Sequence, residues 1–397
     1  MAGHIREGCP FHRQPASGYL LAFTVMKTNT VALADLLPRN FDALLESKGV
    51  SFIKRAGEAE VRQVVIDVLC GNNLRASTEH LTRLRLGKLN AATFLIYLSG
   101  LQAAKNFGRA IPNLALKSIT GQASKSEKEL SKWMLGLTGK GVQNILRDDR
   151  KQLAKYTRTF AGNLKRLAAD TEKESGKLQC RVEFADGKNA VLDWHDMLSL
   201  FCTIGSQTLA IRGSEKSTYG KLFERLVLGS VMSALGFKQT TYPPSKTSNV
   251  FWLSSKLGER EADATLLVAP GQAVRFDLGF IGRGNPEITK DKVSRFERNL
   301  EINKQTYHSA TCIIVDRVGE GSGLEEQAKH AGAIVIQMSM SYWPIELAQW
   351  ISAKFGYKSA IAVCKPEQLP ALLNKKLAAV PFENFVQGLA VSDAEDD

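Results

Sequence analysis

The stretches Ala262-Asp263-Ala264-Thr265-Leu266-Leu267-Val268 and Val274-Arg275-Phe276-Asp277-Leu278-Gly279-Phe280-Ile281 flank the dipeptide Pro270-Gly271, and no other part of the chain constrains the fold as tightly. β-branched and aromatic residues bounded by a proline-glycine turn predict a β-hairpin. Residues that face each other across a turn centred near 270 and 271 have numbers summing to 540 or 541, and Asp263 and Asp277 meet that condition. The two aspartates are therefore expected as cross-strand neighbours, with Cβ atoms about 5 to 8 Å apart. Carboxylates so placed repel unless a cation or a proton lies between them. Mg²⁺ accepts one or two carboxylates and completes its shell with water and phosphate oxygens.

Alternation along the second strand puts Phe276, Leu278 and Phe280 on one face and Arg275, Asp277 and Gly279 on the other, a face expected to be polar and open beside Asp277. Glu259 and Glu261 compete with Asp263 for the role of first acid. Upstream, Tyr219, Leu222, Phe223, Leu226, Val227, Val231 and Leu235 recur at helical spacing, which predicts a helix from Ser217 to Phe237 ending at Gly236. Glu224 lies on it among apolar neighbours, where an ionised carboxylate needs a partner. Either an internal ion pair with an arginine or metal and water binding meets that need.

Asn285-Pro286-Glu287 has the cap, the proline and the acid of a helix start, and the helix is expected to run to about Ile302 with Val293, Phe296 and Leu300 as its core stripe. An apolar strand at Thr311–Val315, a helix near Leu324 to Ala331, a strand at Ala333–Ile336 and a helix from about Trp343 to Phe355 follow. This alternation predicts a mixed sheet with the hairpin at its front. Gly319-Glu320-Gly321-Ser322-Gly323 has the wrong glycine spacing for a dinucleotide loop, and Glu320 would repel phosphate, so it is read as an ordinary turn.

The order of a helix carrying Glu224, a strand, strands carrying Asp263 and Asp277, then helix, strand, helix and strand resembles the PD-(D/E)XK nuclease superfamily and its type II restriction endonucleases. Gly220-Lys221-Leu222-Phe223-Glu224-Arg225-Leu226-Val227-Leu228-Gly229-Ser230 and the stretch from Asp277 to Glu297 look like the CfrBI-type family in particular. The resemblance covers roughly the last half of the chain. It implies a restriction-endonuclease-like α/β (mixed α+β) core and Mg²⁺-dependent hydrolysis of both strands of DNA at a short palindrome by a homodimer. A cognate DNA methyltransferase is implied functionally and not as a bound partner. By motif, Asp263 and Asp277 would hold the metal and Glu224 would be the accessory acid. Two positions depart from the pattern. Ala262 replaces the proline before the first acid, and Gly279 stands where a lysine is due. Lys290 or Lys292, in the first turns of the next helix, could supply the missing charge, with Arg275 and Arg283 next in line.

The formal charge is +12 over 397 residues, and its distribution is more telling than its size. Residues 81 to 170 hold 17 Lys and Arg against 5 acids, an excess equal to that of the whole chain. A basic, mainly helical domain is expected there, followed by a neutral remainder, and counterion release by such a surface supplies affinity for duplex DNA. Leu135-Gly136-Leu137, then Val142 and Ile145 with Thr138 as a cap, fit either a helix-turn-helix or an ordinary helical hairpin. In the first case Lys140, Gln143, Asn144 and Arg147 would face a groove. Lys151 and Lys155 add to the basic surface, and Arg283 to the loop beside the acids. Lys177 to Asp193 reads as a β-hairpin turning at Asp186-Gly187.

The expected divisions are 1–25 as an upstream extension, with Met26 starting the folded protein; 26–175 as the DNA-engaging domain; 176–213 as hairpin and connecting helix; 214–390 as the nuclease domain; and 391–397 as an acidic tail. Cys9, Cys70, Cys180, Cys202, Cys312 and Cys364 show neither a disulfide framework nor zinc-ligand spacing, which fits a reducing cytoplasm. The apolar run Tyr19 to Met26 is too short to span a bilayer, so no membrane partner is expected. The alternatives to a restriction enzyme are a repair or junction-resolving nuclease of the same fold and a non-catalytic DNA-binding protein with a degenerate site at Gly279.

Overall fold

Ten helices among the described residues precede the main sheet. The computed structural model describes residues 31–46, 49–104, 106–146, 149–246, 248–254, 262–280, 299–302, 305–317, 333–339 and 342–387. In chain order the elements are α1 (Leu33–Leu36), α2 (Phe41–Leu45), α3 (Gly49–Ala56), α4 (Glu58–Leu69), α5 (Leu74–Ala103), α6 (Phe107–Thr120), α7 (Lys125–Met134), α8 (Gly139–Leu146) and α9 (Arg150–Ser175). Then come β1 (Cys180–Glu183), β2 (Asn189–Leu192), α10 (Trp194–Leu235), β3 (Lys238–Gln239), β4 (Val250–Leu253), β5 (Ala264–Ala269), β6 (Gln272–Gly279) and β7 (Asn299–Ile302). The described chain closes with β8 (Gln305–Val315), β9 (Ala333–Gln337), α11 (Trp343–Phe355), α12 (Leu369–Leu377) and α13 (Glu383–Val386).

β3 to β9 form one mixed sheet in the order β3-β4-β5-β6-β8-β7, with β9 also paired to β8. β6 runs antiparallel to β5 and parallel to β8, so the predicted hairpin forms the middle of the sheet. Its two faces are covered unequally. On one, Phe251, Leu266, Val274, Phe276, Leu278, Cys312, Ile314 and Ile336 enter the main core. The other carries a smaller cluster of Val250, Trp252, Leu267 and Ala273 beside buried Thr265, Arg275 and Thr311. The polar, open face expected around Arg275 and Gly279 is corrected here: Arg275 is 6% exposed and Gly279 is buried. β6 lies between β5 and β8 in the middle of the sheet and is covered on both faces.

All seven apolar residues of the predicted 217–237 stripe are buried, and the helix ends at left-handed Gly236 with φ +108°. It begins earlier than expected. α10 is continuous over 42 residues from a capping box made by Asp193 and Asp196. Gly205, Gly213 and Gly220 weaken helix by about 1 kcal/mol each relative to alanine, but packing against α5, α7, α9 and the sheet decides the outcome. A second correction concerns residues 299–302, expected at the end of a helix. They form β7, which pairs with an unexpectedly long β8 starting at Gln305. The remainder of that predicted helix, with Lys290 and Lys292, lies outside the described residues, as do Arg283 in the loop before it, Glu259, Glu261 and the predicted helix near 324–331.

The core under the sheet also recruits the N-terminal part of the chain. Phe52, Ile53 and Val61 to Leu69 pack with α10, α11, α12 and α13, and the Trp343 indole N–H donates to Val68 O at 2.9 Å. A second core gathers α1, α2, α5, α6, α7 and α9 around Tyr97, Phe107 and Trp133. β1 and β2 form the predicted hairpin. Among the described residues no helix is long and apolar enough to cross a membrane, and Cys70, Cys180, Cys202, Cys312 and Cys364 are free thiols.

Candidate active site

Register builds the acidic site. β5 and β6 pair Ala264 with Phe276, Thr265 with Arg275, Leu266 with Val274 and Leu267 with Ala273, around a turn in which Gly271 adopts φ +76°. The paired register ends with Ala264 opposite Phe276, so Asp263, just before β5, and Asp277, just past Phe276 on β6, lie at the same end of the hairpin. Two hydrogen bonds hold Asp263 in place: its N–H donates to Phe276 O at 2.8 Å, and its Oδ2 accepts the N–H of Leu278 at 2.8 Å. A carboxylate oxygen fixed by a backbone donor keeps its orientation without a long side chain. Both aspartates are half-buried.

A third strand and the long helix close the site on one side. Ser254, just past β4, donates its N–H to Asp263 O at 3.0 Å and its hydroxyl to Ala262 O. Ser254 O in turn accepts from the Arg225 guanidinium, whose Nε donates to Phe385 O at 2.8 Å. Burial draws the Arg225 pKa down, and the Asp263 carboxylate opposes that shift. The arginine at the Asp263 end of the sheet is thus the neighbour of Glu224 in sequence. Glu224 itself is half-buried on α10. Phe385 reaches Arg225 because Gly229 has no side chain; a Cβ there would lie 2.5 Å from the Phe385 ring.

Arg275 occupies the next rung of the same sheet face, opposite Thr265. The sequence pattern offers it only as a fallback cation, whereas the structure buries its charge two residues from Asp277. Asp316 escapes the sequence pattern altogether. It follows β8, donates its N–H to Gly279 O at 3.2 Å, and accepts from Asn73 Nδ2 at 2.8 Å. Burial raises its pKa, with the Asn73 hydrogen bond opposing. An acid directly after the apolar run Thr311–Val315, at the strand end that carries Asp277, is the signal that could have found it.

Among the described residues no group of three or more His, Cys, Asp or Glu is assembled for a metal ion. Two carboxylates on one rung nevertheless fit a hard cation that keeps several waters, and they fit zinc or a soft metal poorly.

Away from the sheet, Ser124 caps α7, Gly136 turns the chain with φ +71°, and Thr138 Oγ1 accepts the N–H of Gly141 at 3.2 Å at the start of α8. Lys140, Gln143 and Asn144 are exposed on α8, and Lys151, Lys155, Arg158, Lys165 and Arg166 are exposed on α9. The opposite side of α9 buries Leu153, Thr157, Leu164 and Ala168. Arg147 lies outside the described residues.

A mixed sheet flanked by helices, with an acidic rung on its central hairpin, defines a nuclease core of the restriction-endonuclease-like class. Comparison with known proteins makes this specific. The sequence model described as CfrBI restriction endonuclease matches residues 58–323. The chain is also similar to the type II restriction enzyme CfrBI of Citrobacter freundii, with 34% identity over 361 residues, covering 88% of this chain and 97% of that enzyme. It belongs to the CfrBI restriction endonuclease family and is an endodeoxyribonuclease. No solved structure matches it.

Proposed function

We propose that the protein hydrolyses both strands of duplex DNA at a short palindromic sequence, with Mg²⁺ held by Asp263 and Asp277. The observation that carries this reading is the acidic rung, with Asp263 oriented by the backbone of the strand that bears Asp277. When bound, the ion lowers the pKa of a coordinated water and offsets charge on the phosphate. Asp263 presents a carboxylate whose direction is set by the Leu278 N–H, and Asp277 supplies the second from the adjacent strand. Arg225 braces the end of β4 against α10, so the rung is held from the helix side as well. Glu224 acts as the accessory acid. Gly279 leaves the position of the usual lysine empty of charge, and Lys290 or Lys292 takes over its role of stabilising charge that develops on the phosphate.

The exposed cations of α8 and α9, including Lys140, Lys151 and Lys155 with Gln143 and Asn144, bind the DNA backbone and groove; Arg147 and Arg283 join them. Region 26–175 thus engages DNA and region 214–390 performs the hydrolysis. The work is done in the cytoplasm by a homodimer, and the host genome requires a cognate methyltransferase for protection. Digestion of a plasmid of known sequence with purified protein and Mg²⁺, followed by mapping of the ends, tests the reading. Discrete fragments sharing one palindromic site are expected. Ends scattered over many sequences would point instead to a repair-type nuclease.

A further inference from the structure

The first half of α10 presents a surface that neither core uses. From Met197 to Ile211 the sequence contains no charged residue, although the chain carries +12 overall. Phe201 is 53% and Leu209 71% exposed, Leu198 is half-buried, and around Gly205 no atom lies within 4 Å of the place a Cβ would take. At 100° per residue these positions share one side of the helix. Large apolar side chains left in water on a well-packed helix mark a contact surface when they are contiguous.

We propose that this side of α10 docks a second copy of the chain, the two helices crossing antiparallel about a two-fold axis at Gly205. Three features select a second copy over another occupant. The pattern is self-complementary: Phe201 and Leu209 are each four residues from Gly205, so a two-fold axis there sets Phe201 of one copy against Leu209 of the other, as an isologous interface requires. Gly205 at the crossing point lets the backbones approach closely. From Leu198 to Leu209 the face is uncharged, and Arg212 at its end is paired with Glu79, so two copies meeting there largely escape the repulsion that their net positive charge imposes elsewhere. The functional motive rests on the nuclease reading, since one acidic rung per chain cuts one strand at a time and a palindrome presents two equivalent strands.

Sedimentation equilibrium of the full chain at micromolar concentration, with neither DNA nor metal present, tests the interface independently of cleavage. The parent is expected to be a dimer, and Phe201→Glu with Leu209→Glu should weaken the dimer by about 100-fold. Both positions are exposed, so the far-ultraviolet dichroism and melting temperature of the double variant should match those of a monomer with intact helices. Gly205→Cys should give a disulfide-linked dimer on mild oxidation, with the 205–205 peptide pair identified by mass mapping. A monomeric parent, a dimer indifferent to the double glutamate change, or a Gly205→Cys protein that forms no such pair would each overturn the proposal. A dimeric parent that cleaves no duplex with Mg²⁺ present would speak against the nuclease reading alone.

Discussion

The acidic rung of the β5–β6 hairpin and the basic face of α9 are both charged, but they are built on opposite plans. At the rung, two half-buried carboxylates, that of Asp263 held by the Leu278 N–H, belong to a sheet covered on both faces. On α9, cations recur on an exposed side while Leu153, Thr157, Leu164 and Ala168 anchor the other. Chemistry needs a few groups fixed in position, whereas electrostatic attraction to a polyanion needs many charges and little geometry. Damage to the first should therefore be concentrated in single residues, and damage to the second spread over several.

The largest expected effect is at the rung. Asp277→Asn should lower the single-turnover cleavage rate by about three orders of magnitude, measured by quenched-flow digestion of a labelled duplex. Asp263→Asn should do the same and in addition lower the melting temperature, because the neutral amide is a weaker acceptor for the Leu278 N–H. Loss of stability without loss of rate in that variant would make Asp263 a purely structural residue. Next in size, Lys290→Ala or Lys292→Ala should slow turnover by about two orders of magnitude. Introducing Gly279→Lys into the slow variant should restore part of the rate. Full activity in both alanine variants would transfer the role to Arg275, the cation already buried on that face.

On the basic helix, replacing Lys151, Lys155 and Arg158 together by glutamine should weaken binding and reduce the slope of log K against log salt by about 0.9 for each phosphate that is no longer neutralised. Filter binding at several salt concentrations reads this directly, and an unchanged slope would remove α9 from the DNA surface. The smallest effect is expected from Gly229→Ala. A methyl group there meets the Phe385 ring, and overpacking of this kind costs about 1 to 3 kcal/mol, visible in thermal unfolding. A full rate at low temperature would show that the brace through Phe385 and Arg225 supports the rung without taking part in its chemistry.

The hairpin was legible because a tight turn fixes register arithmetically, and a period of two then assigns every side chain to a face. The apolar stripe of α10 and its glycine stop were legible for the corresponding helical reason. What escaped depends on partners far apart in sequence. Ser254, Arg225 and Phe385 meet across 29 and 160 residues, and Asn73 meets Asp316 across 243. Burial of Arg275 follows from the parallel pairing with β8, which no local pattern announces. Residues 299–302 continue a helical spacing through Leu300, yet they pair with β8. There the sheet edge outweighs local propensity, which is a weak prior against tertiary contacts.

The central claim is that hydrolysis is seated on the hairpin and attraction on the helices, and Asp277→Ala tests it most directly when cleavage and binding are measured on one duplex. With Mg²⁺ the cleavage rate should fall by about three orders of magnitude or more. With Ca²⁺ in place of Mg²⁺ the dissociation constant should stay within about threefold of the parent's. A variant that cuts at the parental rate, or one whose binding collapses along with its activity, would contradict the separation.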